Sequence, residues 1–538
     1  MKQIACLVSL MVMGACSTTP TDPTDTDSGE TGAGSSGSDS GSGSGSTVPT
    51  SPTGTSSTGT STTGTSTTGT GTDTTTTTTD QATVVSSVNV RAFHAVGDGV
   101  TDDRAAIQAA LNSGAQEVVI PNGTFVVGMG AGYWCLTVPA GVTLRGETRD
   151  GAIIQQAAGI GASVRLLQIA ADNVTVRDLT LDGNHGKQTV DEHRSGVFAT
   201  GANNLTLRRV TARGFSGDGF YLYLGSNNAM VDSVLATGND RNGITFGGGT
   251  TSGTVTKSSF VGNAAQQFDS EPGSGATVDG LTITNNTLDA QGQSNDYVLT
   301  VSGSSSKARS KGWTVANNTL NGPTYIVWAD NITLSGNVGV NPTTKPAAMI
   351  YRTSDGVTIT NNTWTMSAAG ASTVSALSVV GTGTGSAPSN VTIDHNSVSF
   401  TGKSPAFGVN VSGALSVSIT DNILSGPGRA AAGYAGVFLR ATDINDAFRT
   451  AVVERNTISN WGAYGVSIAG NSTAKLSSVV IVDNLFEDTA ATMTTAASLD
   501  DGTGAAKSIA LYGNTLTGGV KTLAIRIPTG ATLNTTGN

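Results

Sequence analysis

An asparagine-terminated strand recurs along this chain, and it leaves few folds open. The unit is an alternating apolar strand, an Asn, a short turn and a second strand. Leu281-Thr282-Ile283-Thr284-Asn285-Asn286-Thr287-Leu288 and Val357-Thr358-Ile359-Thr360-Asn361-Asn362-Thr363-Trp364 are clear copies. Val391-Thr392-Ile393-Asp394-His395-Asn396 and Val417-Ser418-Ile419-Thr420-Asp421-Asn422 repeat it, and weaker copies end at Asn239, Asn263, Asn318, Asn337, Asn456, Asn484 and Asn514. Successive spacings run 24, 23, 32, 19, 25, 34, 26, 34, 28 and 30 residues, the pattern of a solenoid whose coils carry insertions of different length. Apolar residues alternate with a period of two, so the coils are built of strands rather than helices. Parallel coils stack about 4.8 Å apart, and each Asn is expected to stack on the next and bond the turn backbone. The fold class is therefore all-β, a right-handed, single-stranded parallel β-helix. The 71 Gly and 12% charged residues suit a fold of short strands and tight turns.

The repeat does not reach the N-terminus. Residues 1–15 read as a signal peptide: Lys2, then an apolar run from Ile4 to Ala15 that is too short for a permanent membrane span. The run ends in Met13-Gly14-Ala15-Cys16, which resembles the lipobox of bacterial lipoproteins. That resemblance implies lipidation at Cys16 and export to the cell envelope, with the lipid as the only membrane contact. Residues 16–86 are almost entirely Ser, Thr, Gly, Asp and Pro, without apolar periodicity, and read as a disordered tether. The chain's net charge is −10; without Lys2 it is −11, and without the tether's seven acids it is −4. The β-helix, 87–538, is thus only mildly acidic. It carries no basic patch for nucleic acid, and an anionic partner is not excluded. Cys135 is a lone thiol, expected to be a buried apolar residue.

The β-helix opens with a short capping helix from Arg104 to about Asn112, for which Thr101 or Asp102 is the expected N-cap. Around it stand Ala95-Val96-Gly97-Asp98-Gly99-Val100-Thr101-Asp102-Asp103, Ala106-Ile107-Gln108-Ala109-Ala110 and Pro121-Asn122-Gly123-Thr124-Phe125. This set resembles the N-terminal signature of the pectate lyase superfamily, the rhamnogalacturonase/epimerase-like β-helices, with His94 replacing the usual Gly. The resemblance implies that Asp98, Asp102 and Asp103 are structural. It also implies a polysaccharide as partner, in a family of lyases, glycoside hydrolases, uronate epimerases and phage depolymerases. Residues 87–340 carry the likeness, and residues 341–538, poor in charge, read as scaffold.

Aligned coils point to one face. Val197, Phe220, Ile244 and Phe268 share a phase and should face the core, leaving Phe198, Tyr221, Tyr223, Thr245, Asp269 and Glu271 facing out. Aromatic rings beside carboxylates suit a sugar groove. Phe198, Tyr221, Tyr223, Arg194 and Lys187 are the expected substrate contacts. Asp218, Asp240, Arg241, His193, Asp269 and Glu271 are the catalytic candidates, and Asp269 with Glu271 could hold calcium. A lyase needs a base and a cation for a uronate carboxylate, with His193, Lys187 or Arg241 as the base; a hydrolase needs two carboxylates. Asp240-Arg241-Asn242-Gly243 resembles a segment of bacterial mannuronan C5-epimerases. Those enzymes carry catalytic Asp and His where this chain has Phe220-Tyr221-Leu222-Tyr223-Leu224. Polygalacturonase motifs are also missing from this region. The expectation is a cell-surface enzyme on an acidic, uronate-containing glycan, a lyase or hydrolase and possibly an epimerase. The alternative is a non-catalytic glycan-binding, adhesive or structural β-helix.

Overall fold

The computed structural model describes residues 86–534, except 293–296, 368–371, 383–384, 403, 429–433, 442–449, 471–475, 501–505, 507 and 528–531. Cys16, the signal segment and all but the last residue of the tether lie outside the described residues. Every strand pairing is parallel in the 31-stranded and 15-stranded sheets that form the solenoid. The larger sheet is two stacks of short strands joined through Thr175–Asp182 and Thr206–Arg213, each of which spans both. The smaller sheet is a single stack from Trp134–Thr137 to Thr522–Ile525. A coil therefore turns through three strands around an apolar core. That core is continuous from Val90 to Val520 and includes Trp313, Trp364 and Trp461.

The N-terminal signature is a cap. Asp103 is buried and accepts the main-chain N–H groups of Val96 and Gly97 at 2.6 and 2.9 Å. Asp102 accepts the N–H of Arg104 and that of Gly128, but the N-cap position falls to Asp103 instead of Thr101 or Asp102. Asp98 accepts from Val100 and Thr101. All three carboxylates hold backbone, which accounts for the motif without chemistry. Gly97 is required because its φ is +69° and an added Cβ would lie 2.6 Å from the Phe125 ring. The helix runs Arg104–Leu111 and buries Ile107, Ala110 and Leu111. Cys135 is buried, and desolvation pushes its thiol up to about 12.

The asparagines form two ladders where the spacing suggests one. Asn286, Asn318, Asn337, Asn362, Asn396, Asn422, Asn456, Asn484 and Asn514 stack at the bend between the two stacks of the larger sheet. Each after Asn286 takes the main-chain and side-chain N–H of the preceding Asn, as Asn318 does from Asn286 (2.9 and 3.0 Å). Asn286 receives the N–H of Ser258 rather than a bond from Asn263. Asn239 and Asn263 belong to a second, shorter ladder, one strand further on, which ends on Gln267. The 23-residue step between Asn263 and Asn286 is thus a change of column, not a coil. Outside the long ladder, His395, Asp421, Arg455 and Asp483 share the left-handed turn position (φ 51–56°). His395 pairs with Asp394 and Arg455 with Asp421, so His395 belongs to a surface charge row.

Candidate functional site

The coil register follows the expected phase. Val197 pairs with Phe220, Phe220 with Ile244 and Ile244 with Phe268, and all four are fully buried. The outer column runs Phe198, Tyr221, Thr245, Asp269, and a parallel one runs Tyr223, Gly247, Glu271, but Thr245 and Asp269 are buried beneath Asn242 instead of facing out as expected. Short turns enter these strands, and Asn239, Asn263 and Gln267 brace the turns from inside.

Arg241 is the centre of the polar cluster. Its Nη1 donates to Asp218 Oδ2 at 2.7 Å, and its Nη2 donates to Glu271. Asp218 is buried beneath it and also accepts the Asn242 N–H at 3.0 Å. Burial pushes the Asp218 carboxyl up to about 6, against the pull of Arg241 and the Asn242 hydrogen bond. Burial disfavours the Arg241 cation, but Asp218 and Asp269 outweigh it, so its proton is held more tightly than usual. Arg241 and Glu271 keep side-chain exposures of 23% and 31%, against 1% for Asp218. The solvent-facing groups are therefore the guanidinium and the glutamate. Asp218 works behind them.

A strip of rings adjoins the cluster. The Arg165 guanidinium lies 4.0 Å from the Phe198 ring centre, Phe198 meets Tyr221 edge-on at 5.6 Å, and Tyr221 lies 5.6 Å from Tyr223. Burial, then the negative charge of Asp218, pushes the Tyr221 phenol up to about 12, so it keeps its proton. Gly247 on the next coil makes room for Tyr223, since a Cβ there would come 2.2 Å from the ring.

Other expected site residues lie elsewhere. Arg194 does not face the groove: it is 1% exposed and donates to the carbonyls of Thr189, Ile160 and Gly161 at 2.7–2.9 Å. The loop insertion before it needed donors for its carbonyls, and Arg194 turned inward to supply them. Asp240 accepts from His185 at 3.0 Å rather than joining Arg241. His193 is exposed and 3.5 Å from Asp191; Lys187 is exposed on the same insertion. Asp269 accepts from Asn242 Nδ2 at 3.3 Å. Asp269 and Glu271 do not fit a shared calcium, because the Arg241 cation already binds Glu271. Asp394, His395 and Asp421 have ligand atoms within 4.8 Å of one another, but Asp421 is bound by Arg455 at 2.8 Å.

Three contributors escaped the sequence reading. Asn242 joins Asp218, Thr245, Asp269 and the Gln266 N–H, and its place beside Arg241 was the available signal. Arg165 extends the ring strip by one coil, and Gly247 makes room for Tyr223. Neither had a signal short of the coil register.

Residues 87–324 match the family described as Rhamnogalacturonase A/epimerase, pectate lyase-like, and residues 331–516 match the Right handed beta helix region. The body of this chain is a right-handed β-helix, and its pectate lyase-like match covers residues 87–324. A mannuronan C5-epimerase of Azotobacter vinelandii is 33% identical over 172 residues, 29% of this chain and 31% of that protein. The pre-neck appendage protein of Bacillus phage phi29 is 28% identical over 187 residues, 29% of this chain and 21% of its own. The match thus spans less than a third of either relative. The solved A-module of an Azotobacter vinelandii mannuronan C-5 epimerase covers 80% of this β-helix chain and 99% of its own, at 22% identity and a TM-score of 0.41.

Proposed function

We propose that this protein is a polysaccharide-active enzyme that abstracts the C5 proton of a uronate unit and eliminates the 4-linked sugar. The observation that carries the reading is the Arg241 fork, with buried Asp218 on one side and accessible Glu271 on the other, beside a tyrosine that keeps its proton. A uronate carboxylate entering the groove replaces Glu271 on the guanidinium, while Asp218 holds the other side. Neutralising that carboxylate acidifies C5–H. The released Glu271 takes the C5 proton, the C4–C5 double bond forms, the C4–O bond breaks, and Tyr221 protonates the departing oxygen. The ring strip from Phe198 to Tyr223 supports the sugars. No step uses calcium.

A second reading, C5 epimerisation, is favoured by the 172-residue likeness to mannuronan C5-epimerases. It uses the same abstraction, with the proton returned from the opposite face. The positions that the resemblance gives to Asp and His are Tyr221 and Tyr223 here, which favours a different proton donor. Incubation with polygalacturonate and alginate, with and without EDTA, separates the readings. Ultraviolet absorbance of an unsaturated product means elimination, and altered uronate composition without cleavage means epimerisation. New reducing ends without absorbance mean hydrolysis, and binding alone means an adhesive β-helix. Export and anchoring through Cys16 belong to the same proposal. Labelled palmitate should enter the wild-type protein and not Cys16→Ser, and equal labelling would refute the anchor.

A further inference from the structure

Below the Arg241 cluster, the same outward face carries a second group of rings. Phe268 pairs with Leu299, Thr300 with Tyr325, and Tyr325 with Met349, so Tyr325 continues the column of Tyr221 and Asp269. Tyr297 stacks on Tyr325 at 4.7 Å, and Tyr325 leans on Tyr351 at 5.9 Å. Cations stand at both ends. Lys345 lies 4.6 Å from the Tyr297 ring centre, and the Arg352 guanidinium lies 4.7 Å from Trp328 and 5.4 Å from Tyr351.

Arg352 gives this group a ring-bound cation with an unpartnered buried Nε, as Arg165 does in the first strip. Unlike Arg241, Arg455 and Arg209, Arg352 forms no ion pair among the described residues. A half-buried guanidinium clamped between two rings and left without an anion is already oriented, and it has paid part of its desolvation. Such a group binds a planar carboxylate in two-point contact. The rings are stacked on one another, so they offer edges and phenol groups rather than open faces. The site thus suits a charged, hydroxyl-rich ligand.

We infer that Tyr297, Tyr325, Tyr351 and Arg352 form a second glycan subsite that takes the carboxylate of another uronate unit of the chain held at Arg241. This rests on the uronate reading of the Arg241 groove. Tyr221 and Tyr325 are four coils apart, roughly 19 Å at the coil spacing, so only a polymer reaches both.

The test is affinity gel electrophoresis of the full chain in polygalacturonate, alginate or neutral dextran. Arg352→Gln should weaken retardation by both uronate polymers about tenfold, the worth of one charge-assisted contact. It should leave dextran migration and the thermal midpoint unchanged. Arg352→Lys should fall between, which a packing defect would not produce. Wild-type retardation by uronates in Arg352→Gln, alongside loss in Arg241→Ala, overturns the second subsite and leaves the first groove standing. Equal loss towards dextran, or wild-type behaviour of Arg352→Gln with a lowered midpoint, assigns Arg352 to packing and also overturns it. A wild-type protein that no uronate retards overturns both sites.

Discussion

The coils around Arg241 and those from Asn286 onward share one strand register but brace it differently. In the later coils the asparagine ladder sits at the bend of the larger sheet, nine residues deep, and holds only the solenoid. Around Arg241 a shorter ladder, Asn239–Asn263–Gln267, lies one strand further along and supports the turns that carry Arg241 and Asn242. An added Cβ at Gly243 would meet Asn263 Nδ2 at 2.8 Å, so ladder and site are packed together. The same device is a spine in one region and a foundation in the other. The difference lies in which corner of the coil needs its carbonyls satisfied.

The largest expected effect breaks the site without touching either ladder. Glu271→Gln removes the accessible base and should lower turnover of uronate polymer by about 10²–10⁴-fold, while the thermal midpoint stays put. Arg241→Ala should do at least as much damage and also destabilise, since it leaves buried Asp218 without its counter-ion.

Next come the ladders. Asn396→Ala removes donors to the Ile359 and Asp394 carbonyls and leaves the Asn362 N–H without its acceptor. It should cost about 3 kcal/mol in urea unfolding, with turnover unchanged. Asn263→Ala should cost a similar amount and lower turnover as well. Equal turnover in the two variants would erase the distinction drawn between the ladders.

A smaller effect follows from Asp218. Its folded-state pKa, about 6, lies above the ordinary 3.8. The folded state therefore binds this proton more tightly than the unfolded chain does. The contribution to stability is greatest in acid and is lost as pH rises from about 4 through about 6. Turnover runs the other way, because protonated Asp218 no longer holds Arg241 by charge, so kcat/KM should fall below about pH 6. Asp218→Asn should flatten both limbs, and an unchanged acid limb would remove Asp218 from behind Arg241. The mildest change is Gly247→Ala, which displaces the Tyr223 ring. It should weaken polymer binding several-fold at a cost of about 1–3 kcal/mol.

Local pattern carried much of the molecule. Period-two alternation assigned Phe220, Ile244 and Phe268 to the core and Tyr221 and Glu271 to the outer side, because a strand's side chains have only two sides to choose from, but it did not show that Thr245 and Asp269 on that outer side are buried. The structural duty of Asp98, Asp102 and Asp103 was legible too, since turn carboxylates serve nearby N–H groups. Asparagine spacing showed the solenoid but not its two columns, because a coil presents several equivalent corners and spacing does not say which one an Asn occupies.

What the sequence by itself determined, then, is the repeat, the stacking axis and the side of each strand that meets the core. The tertiary structure alone decided how long polar side chains were shared out across coils. It turned Arg194 inward to loop carbonyls, gave Asp240 to His185, fastened Arg241 between Asp218 and Glu271, and left Arg352 between two rings. The backbone period is local and repeats with every coil. The partner of an arginine depends on which residues twenty or thirty positions away are brought within reach by insertions of unequal length.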